Sequence, residues 1–417
     1  MSLNILKTIG LIGGGQLGKM IAMEAKRMAM NVVVLDPDPS CPASAVCRDQ
    51  IVADFKNASA IRQLAERCDV LTYEIEQGNP QILRDLTREG FKIYPSAENL
   101  AVLQDKLLQK EFLLKNKIPV PQFVAIGSVQ ELTKIAERFG FPFLLKRRTD
   151  AYDGRGNQTI RSAPELQQIL DSDYFKKNAS AYMAERFVHF TKEISVMVAR
   201  NADGQTTLFP VVENIHRDHI LQTTIAPARI ENVAVERART IALQTVAALE
   251  GVGIFGIEMF LCADGADGAD GANDADGADG SGGASGSGAA NGTGGQILVN
   301  EIAPRPHNSA HYTMEACTHS QFEMQIRAIF NWPMVDPQFR GAAVMVNILG
   351  ENEGECEYVV EGIEPLLSRA GTKLHLYGKE KTRGQRKLGH LTILDSSVEK
   401  ALAISERARS TIKITAI

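Results

Sequence analysis

The six cysteines of this 417-residue chain, at positions 41, 47, 68, 262, 317 and 356, include no C-x-x-C pair. That scatter speaks against a disulfide framework or a zinc site and for reduced thiols in a cytosolic protein. No apolar stretch approaches the roughly 18 residues needed to span a bilayer. The opening MSLNILKTIGLIGGGQLG lacks a basic region followed by an unbroken apolar run. Its apolar run breaks at glycines, as a strand entering a loop does, so no secretory leader is expected. An excess of one charge is also missing. The net charge is −5, and six aspartates (264, 267, 270, 274, 276 and 279) fall in one short stretch; removing them leaves +1. Neither a nucleic-acid binder nor an acidic-tail protein is implied, and a cytoplasmic protein without membrane or nucleic-acid partners is expected.

What is present is ordinary for a globular protein, with 44% hydrophobic and 23% charged residues in a chain long enough for two or three domains. Over residues 7–100, strand and helix signals alternate. KTIGLIG, NVVVLDPD, DVLTYEIE and FKIYPS read as strands, and QLGKMIAMEAKRMAM, ASAIRQLAERC and QILRDLTREG as helices. This alternation predicts a parallel, doubly wound sheet. From 101 the pattern changes. NLAVLQDKLLQKEFLLKN reads as one helix, FPFLLKRR and SAYMAERFV as strands, and KEISVMVAR, TLFPVVENIH, GIFGIEMFL and QILVNEIA as longer antiparallel strands. The tail from about 333 mixes short strands with one helix, SSVEKALAISERARSTI.

Five constellations can carry chemistry. Gly13-Gly14-Gly15-Gln16-Leu17-Gly18, with Asp36 ending the next strand, fits G-x-G-x-x-G plus an acidic residue. Glycines there let backbone approach a phosphate at a helix N-terminus, but any phosphorylated ligand, or a plain tight turn, satisfies the pattern as well as a nicotinamide cofactor does. Glu74 and Glu76 in YEIE would share one face of a strand end, where ligands of open α/β sheets bind; a solvated strand end is the plain alternative. Lys146 ends an apolar strand and is followed by Ala151-Tyr152-Asp153-Gly154-Arg155-Gly156-Asn157, a glycine-rich loop suited to a triphosphate; G-x-x-x-x-G-K-[ST] is absent. Glu258 in GIFGIEMFL and Asn300-Glu301 in ILVNEIAPRPHNSAH would gather hard oxygen ligands for magnesium if their strands pair antiparallel. Arg305, His307, Asn308 and Ser309 follow as donors for a small anion. Zinc at His307-x-x-x-His311 is disfavoured by the prolines, and His216-x-x-His219 reads as polar surface. The last constellation, 377–390, sets five basic residues among glycines and suits a phosphate ester or a solvated loop.

Taken in order, GGGQLG, YEIE, YDGRGN, NEIAPRPHNSAH and LYGK-x-x-x-R-x-x-RKLGH resemble the ATP-grasp superfamily and, within it, the 5-(carboxyamino)imidazole ribonucleotide synthetases of purine biosynthesis. The resemblance implies a Rossmann-like pre-ATP-grasp domain (1–100), an ATP-grasp domain (101–332) and a small mixed C-terminal domain (333–417), an α/β and α+β architecture. It also implies a reaction. ATP phosphorylates bicarbonate to carboxyphosphate, and the carbon dioxide released from it is captured by the amine of aminoimidazole ribonucleotide. Residue by residue, Lys106, Lys146, the 151–157 loop, Glu185, Arg186, Phe187, Val188, Glu193 and His216 would contact ATP. Glu258 and Glu301, with Asn300 alongside, would hold Mg2+. Tyr152, Arg155, Arg305, His307, Asn308 and Ser309 would surround bicarbonate and its phosphate. Asp153, Lys379 and Arg386, with Gln16, Leu17 and Glu74, would hold the ribonucleotide. A homodimer is implied as well.

The nearest alternative is the formate-dependent glycinamide ribonucleotide transformylase family. There Glu replaces Gln16, the phosphate loop is Ser/Lys-rich, and HDTG stands for HNSA. Ala310 departs from the favoured family, which often has Gly. A nicotinamide-dependent dehydrogenase would leave 100–417 unexplained, and a non-catalytic phosphate binder would have no use for the Glu258/Glu301 pair.

The stretch CADGADGADGANDADGADG (262–280) and the Gly/Ser run to Gln296 join the two strands that carry Glu258 and Glu301. A calcium β-roll needs a large apolar residue in each turn, and here those slots hold only alanine. The stretch is therefore expected to be a disordered, soluble hairpin insertion. Lengthening a loop from about four to about 35 residues adds roughly 2 kcal/mol of closure entropy, which strong strand pairing can absorb. Replacing 264–295 with a short turn is expected to leave magnesium-dependent turnover intact and raise the melting temperature slightly. Loss of that turnover would show a chemical role.

Overall fold

The computed structural model describes residues 7–150, 156–263, 295–351 and 354–417. The insertion at 264–294 and the loop residues Ala151, Tyr152, Asp153, Gly154 and Arg155 lie outside the described residues. In the first region the expected parallel sheet forms from β1 (Thr8–Ile12), β2 (Asn31–Asp36), β3 (Asp49–Val52) and β4 (Val70–Tyr73), in the order β3-β2-β1-β4. Helices α1 (Gln16–Arg27), α2 (Ala58–Glu66) and α3 (Pro80–Arg88) cover it. FKIYPS does not become a strand. Ile93 makes one parallel bridge to Leu71 before Pro95, which has no N–H to extend a ladder.

The single helix expected over 99–116 is two, α4 (Ala97–Leu103) and α5 (Lys106–Lys115). Asp105 causes the break. Its carboxylate accepts from the backbone N–H of Leu107 (2.9 Å) and Leu108 (3.4 Å), capping a new helix, and Arg148 grips it at 2.7 Å. Lys106 is thereby the first residue of α5, which sets where its side chain reaches.

Strands β5 (Phe123–Ala125), β6 (Phe143–Arg147), β7 (Asn157–Ile160) and β8 (Tyr182–Arg186) form an antiparallel sheet ordered β5-β8-β6-β7. Then come β9 (Phe190–Arg200), β10 (Thr206–Leu208), β11 (Val212–Arg217), β12 (Ile220–Ala226), β13 (Gly253–Cys262) and β14 (Ile297–Ala303). The run TLFPVVENIH is thus split into β10 and β11, because Pro210 cannot donate to the ladder. The tail adds β15 (Ala342–Leu349), β16 (Cys356–Glu361), β17 (Thr372–Leu376), β18 (Lys381–Thr382), β19 (Lys387–Asp395) and β20 (Lys413–Ala416). The large sheet runs β14-β13-β9-β11-β12-β15-β19-β17, so three tail strands continue it, while β18, β16 and β20 form a separate small sheet.

One face of the large sheet packs on the helix Asn232–Leu249 through Ala238, Ala242 and Val246, against Val196, Phe255 and Ile257. The helix Gln321–Ile329 joins the regions. Met324 packs with Met197 and Ile254 of the large sheet, whereas Phe322, Ile326 and Ile329 pack with Met20, Ile21 and Ala25 of α1. An ion pair from Arg27 to Glu323 (2.8 Å) flanks that contact. The first sheet and the large sheet are thus held together over a shared apolar seam, with a cleft on one side of it.

Asp105→Ala is expected to lower stability by about 1–2 kcal/mol through loss of the α5 cap. The readout is a lower urea midpoint at unchanged slope. Asp105→Asn retains a capping oxygen and should lose less; equal losses would assign the effect to the Arg148 pair.

Candidate active site

The cleft has a volume of about 770 Å3, and its walls come from the first sheet, the two antiparallel sheets and the tail. At its first-sheet end, Gly14 N–H donates to Asp36 Oδ2 (2.7 Å), so the residue that a dinucleotide fingerprint would offer to a ribose is committed to the glycine loop. Glu74 fills the N-terminus of α1. Its Oε1 accepts from Gly15 N–H (2.5 Å) and its Oε2 from Gly18 N–H (3.1 Å). A Cβ on Gly13 or Gly15 would come 2.7 Å from this side chain, and Gly13 has φ +96°. The glycines therefore make room for an internal carboxylate at the place where the sequence suggests a phosphate. Burial pushes the Glu74 carboxyl up to about 7, against the pull of those two N–H groups. Gln16 and Leu17, the first residues of α1, line the cleft beside it.

The shared-face argument for Glu74 and Glu76 fails, because β4 ends at Tyr73. Both carboxylates do reach the cleft, with different partners: Glu76 Oε1 lies 2.8 Å from Arg305 Nε.

A buried charge cluster joins β6, β8 and α5. Glu185 on β8 is fully buried between Lys146 on β6, at hydrogen-bonding contact, and Lys110 on α5, 2.8 Å away. Burial alone would raise its carboxyl, but the two ammonium groups hold it down at about 2. Lys110 Nζ also donates to Val299 O (3.2 Å). Lys110 was not singled out from the sequence, although the i, i+4 spacing from Lys106 along α5 was available as a signal. Arg186 donates to Gln122 Oε1 (3.4 Å), the Phe187 ring lies 5.2 Å from that of His189, and Val188 packs on Phe260, Cys262 and Leu298. His216 Nδ1 meets Glu193 Oε2 at 2.6 Å. The pair Gly156 and Asn157 enters β7, with Gly156 at φ +86° and its carbonyl accepting from Arg147 N–H (2.9 Å).

The predicted antiparallel pairing of β13 with β14 is present, with Glu258 directly opposite Glu301. Immediately beyond, Met259 pairs with Val299, so Asn300 is the extra residue of a β-bulge. A regular strand would send Asn300 and Glu301 to opposite faces; the bulge re-aims them. Glu301 Oε2 lies 2.6 Å from Lys106 Nζ, and Asn300 Oδ1 lies 3.4 Å from Lys146 Nζ. His307 Nε2 lies 3.0 Å from Glu258 Oε1. Burial would raise the Glu258 carboxyl; His307, His216 and Lys106 outweigh it and hold it at about 2. Two carboxylates with one amide fit magnesium, which completes its shell with water and phosphate oxygens. Among the described residues no group of three or more His, Cys, Asp or Glu gathers as a closed metal site. The zinc reading of His307 and His311 is excluded by their partners. His311 is buried, with Nδ1 3.1 Å from Gln321 Nε2 and its ring 4.7 Å from that of His390.

Arg305, His307 and Asn308 line the cleft. Neither amide atom of the buried Asn308 side chain has a partner among the described residues. Ser309 is fully buried and sits behind the His307 ring, its Oγ 2.8 Å from Nδ1, so it does not present its hydroxyl to the cleft. On the tail side Lys379, Arg383, Arg386 and Lys387 line the wall. Lys379 Nζ donates to Lys387 O (2.8 Å), Arg386 lies 3.5 Å from Glu355, and Lys19 of α1 donates to the carbonyls of Leu376 and Tyr377 (3.1 Å each), tying this basic segment to the first sheet.

Three family models match in succession: the ribonucleotide synthetase preATP-grasp domain (residues 6–104), the ATP-grasp domain (111–322) and the phosphoribosylaminoimidazole carboxylase C-terminal domain (343–404). The chain is 38% identical to the phosphoribosylaminoimidazole carboxylase of Saccharomyces cerevisiae over 403 residues, covering 94% of this chain and 64% of that protein. It therefore spans about two thirds of the length of such fungal relatives. It is 35% identical to the N5-carboxyaminoimidazole ribonucleotide synthase of Staphylococcus aureus, covering 96% of each. Among solved structures, the N5-carboxyaminoimidazole ribonucleotide synthetase of Thermotoga maritima is 43% identical with a TM-score of 0.83, covering 99% of this chain and 100% of that one. The N5-carboxyaminoimidazole synthase of Aspergillus clavatus, in complex with ADP and 5-aminoimidazole ribonucleotide, is 30% identical with a TM-score of 0.79, covering 97% and 100%. With whole-length identity of this order, the chain belongs to the N5-carboxyaminoimidazole ribonucleotide synthetase family of ATP-grasp, carbon–nitrogen bond-forming ligases.

Proposed function

We propose that the cleft carboxylates 5-aminoimidazole ribonucleotide with bicarbonate at the expense of ATP, in the purine pathway of its family, and that the residues described above divide the work. The observation that carries this reading is the facing pair Glu258 and Glu301, set in one cleft with Lys106 and His307. A dehydrogenase has no use for that pair, and Asp36 is already committed to the glycine loop.

In the reaction a bicarbonate oxygen attacks the γ-phosphorus of ATP, the bond to ADP breaks, and carboxyphosphate forms. Its breakdown releases carbon dioxide and phosphate; the amine of the ribonucleotide then bonds to that carbon and loses a proton. Such transfer depends on positioning and charge neutralisation more than on a covalent nucleophile. Lys106 and Lys146 attract the triphosphate, with Glu185 and Lys110 fixing Lys146 from behind. Glu193, His216 and the 185–188 segment take the nucleoside. Glu258 and Glu301, with Asn300 alongside, would hold magnesium, which would offset phosphate charge. Arg305, His307 and Asn308 receive bicarbonate, and the unpartnered Asn308 amide has both a donor and an acceptor to offer it. Lys379 and Arg386 meet the ribonucleotide phosphate, with Gln16, Leu17 and Glu74 at its sugar. Tyr152, Asp153 and Arg155 keep the roles that the family resemblance implies. The same reading includes domains at 1–100, 101–332 and 333–417, a homodimer and a cytoplasmic location; the last two rest on the resemblance and on the cysteine pattern. No helix among the described residues is long and apolar enough to cross a membrane.

Phosphate release from ATP with magnesium is expected to require both bicarbonate and aminoimidazole ribonucleotide, and to fail with formate and glycinamide ribonucleotide. Turnover with the second pair alone would assign the chain to the transformylase reaction. Glu301→Ala is expected to cut kcat by about 100- to 1,000-fold, the scale for removing one group that stabilises developing charge. Its melting curve should stay cooperative. Wild-type turnover in that variant would remove Glu301 from the magnesium site.

A further inference from the structure

Behind the His307 ring runs a chain of buried side-chain hydrogen bonds that the scheme above leaves without a role. It begins on β12, where the Thr224 hydroxyl donates to Asn214 Oδ1 on β11 (3.0 Å). Asn214 Nδ2 donates to Ser195 Oγ on β9 (2.9 Å), and Ser195 Oγ donates to Ser309 Oγ (2.9 Å). Ser309 Oγ reaches His307 Nδ1 at 2.8 Å, and the far side of the ring, Nε2, faces Glu258 Oε1 at 3.0 Å. Thr224, Asn214, Ser195 and Ser309 are all buried.

The direction of this chain is set at the histidine end. The backbone N–H of Ser309, which can only donate, also points at His307 Nδ1, at 3.3 Å. Nδ1 is therefore an acceptor, and the Ser309 hydroxyl must spend its proton on it. Ser309 Oγ is left to accept from Ser195, and Ser195 Oγ to accept from an N–H of Asn214, which turns Asn214 Oδ1 toward Thr224. Every donor then runs the same way, toward the ring. The opposite arrangement would set the Nδ1 proton against the Ser309 N–H and a bare Nε2 against the Glu258 carboxylate, two repulsive contacts at once.

We propose that Asn214 and Ser195 are positioning residues. Acting through Ser309, they keep His307 Nδ1 an acceptor and its proton on Nε2, so that the ring donates to Glu258 and anchors one carboxylate of the facing pair. Partners of this kind fix ring tautomer and orientation where a histidine serves a charged site. The kinetic part of this proposal rests on the reaction assigned above; the tautomer part does not.

The test uses the full chain with 15N-labelled histidine, the His307 signals being identified by their loss in His307→Gln. In the wild type without ATP or metal, Nε2 should carry the proton and Nδ1 should be bare. Asn214→Asp replaces the amide donor with an acceptor that draws the Ser195 hydroxyl proton back, so the His307 proton should move largely to Nδ1. Ser195→Ala interrupts the chain and should give a mixture of the two tautomers, and Ser195→Thr, which returns the hydroxyl, should restore the wild-type pattern. In Ser195→Ala, kcat is expected to fall about 10- to 100-fold while KM for ATP changes little, the scale for losing a partner that orients a site residue. A wild-type ring protonated on Nδ1, or a wild-type tautomer retained in folded Asn214→Asp and Ser195→Ala, would overturn the relay. Where Asn214→Asp fails to fold, the Ser195→Ala and Ser195→Thr pair decides. An Nε2 proton in a wild type that shows no bicarbonate-dependent turnover would support the relay and sink the reaction assignment.

Discussion

The register between β13 and β14 is the constraint on which the site depends. It sets Glu258 against Glu301, and the bulge at Asn300 sends two neighbouring side chains toward different lysines. Backbone of β14 also receives Lys110 at Val299 O, which ties α5, with Lys106 and Lys110, to the same strand. The chain leaves β14 directly into the segment carrying Arg305 and His307, so the anion-binding residues inherit their place from the ladder. A slip of one residue would turn every side chain of the strand to the other face and dissolve the site. Backbone hydrogen bonds resist such a slip collectively, and the apolar rows of both strands, buried against the helix Asn232–Leu249, specify the register further.

On this frame the cleft holds its charges in mutual pairs. Lys106 is matched to Glu301, Arg305 to Glu76, His216 to Glu193, and Lys146 to Glu185. Buried ions such as Lys146 and Glu185 would each carry a desolvation penalty of several kcal/mol without a partner, and pairing offsets it. A triphosphate or a cation entering the cleft therefore exchanges partners with groups already positioned. Glu74 has a helix end as its partner, and there burial outweighs the two N–H groups and lifts its carboxyl to about 7. Asn308 is the exception, a buried amide with no partner among the described residues, an arrangement that costs about 1–3 kcal/mol and that a bound oxyanion would relieve.

Much of this was readable in the chain. The strand, glycine loop and helix of the first region, the parallel sheet and the antiparallel longer strands follow from periodicity and spacing, whereas the register that opposes Glu258 to Glu301 does not. Other features were misjudged from local pattern. Asp105 divides what its apolar spacing presents as one helix, because a carboxylate two residues ahead of free N–H groups caps better than it continues. YEIE reads as strand to its end, yet β4 stops at Tyr73 where Glu74 turns under the glycine loop. Ser309 reads as one more anion donor, and its hydroxyl faces the interior. Lys110 was passed over because a lysine four residues after another on a helix is usually a solvated face.

The division has a physical cause. Hydrogen-bond ladders, caps and turns involve residues close in the chain or strands with matching apolar rows, so residue order alone was enough for most elements, the family and the residue types of the site. Which atom each of those side chains touches depends on groups brought together from far apart, Glu74 with Gly15 across 59 residues and Lys106 with Glu301 across 195. Burial, and the cost of leaving an ion or amide unmatched once water is gone, selects those pairings. That selection exists only after the sheets have packed, and so the partners of Glu74, Lys110 and Ser309 were settled by the folded structure.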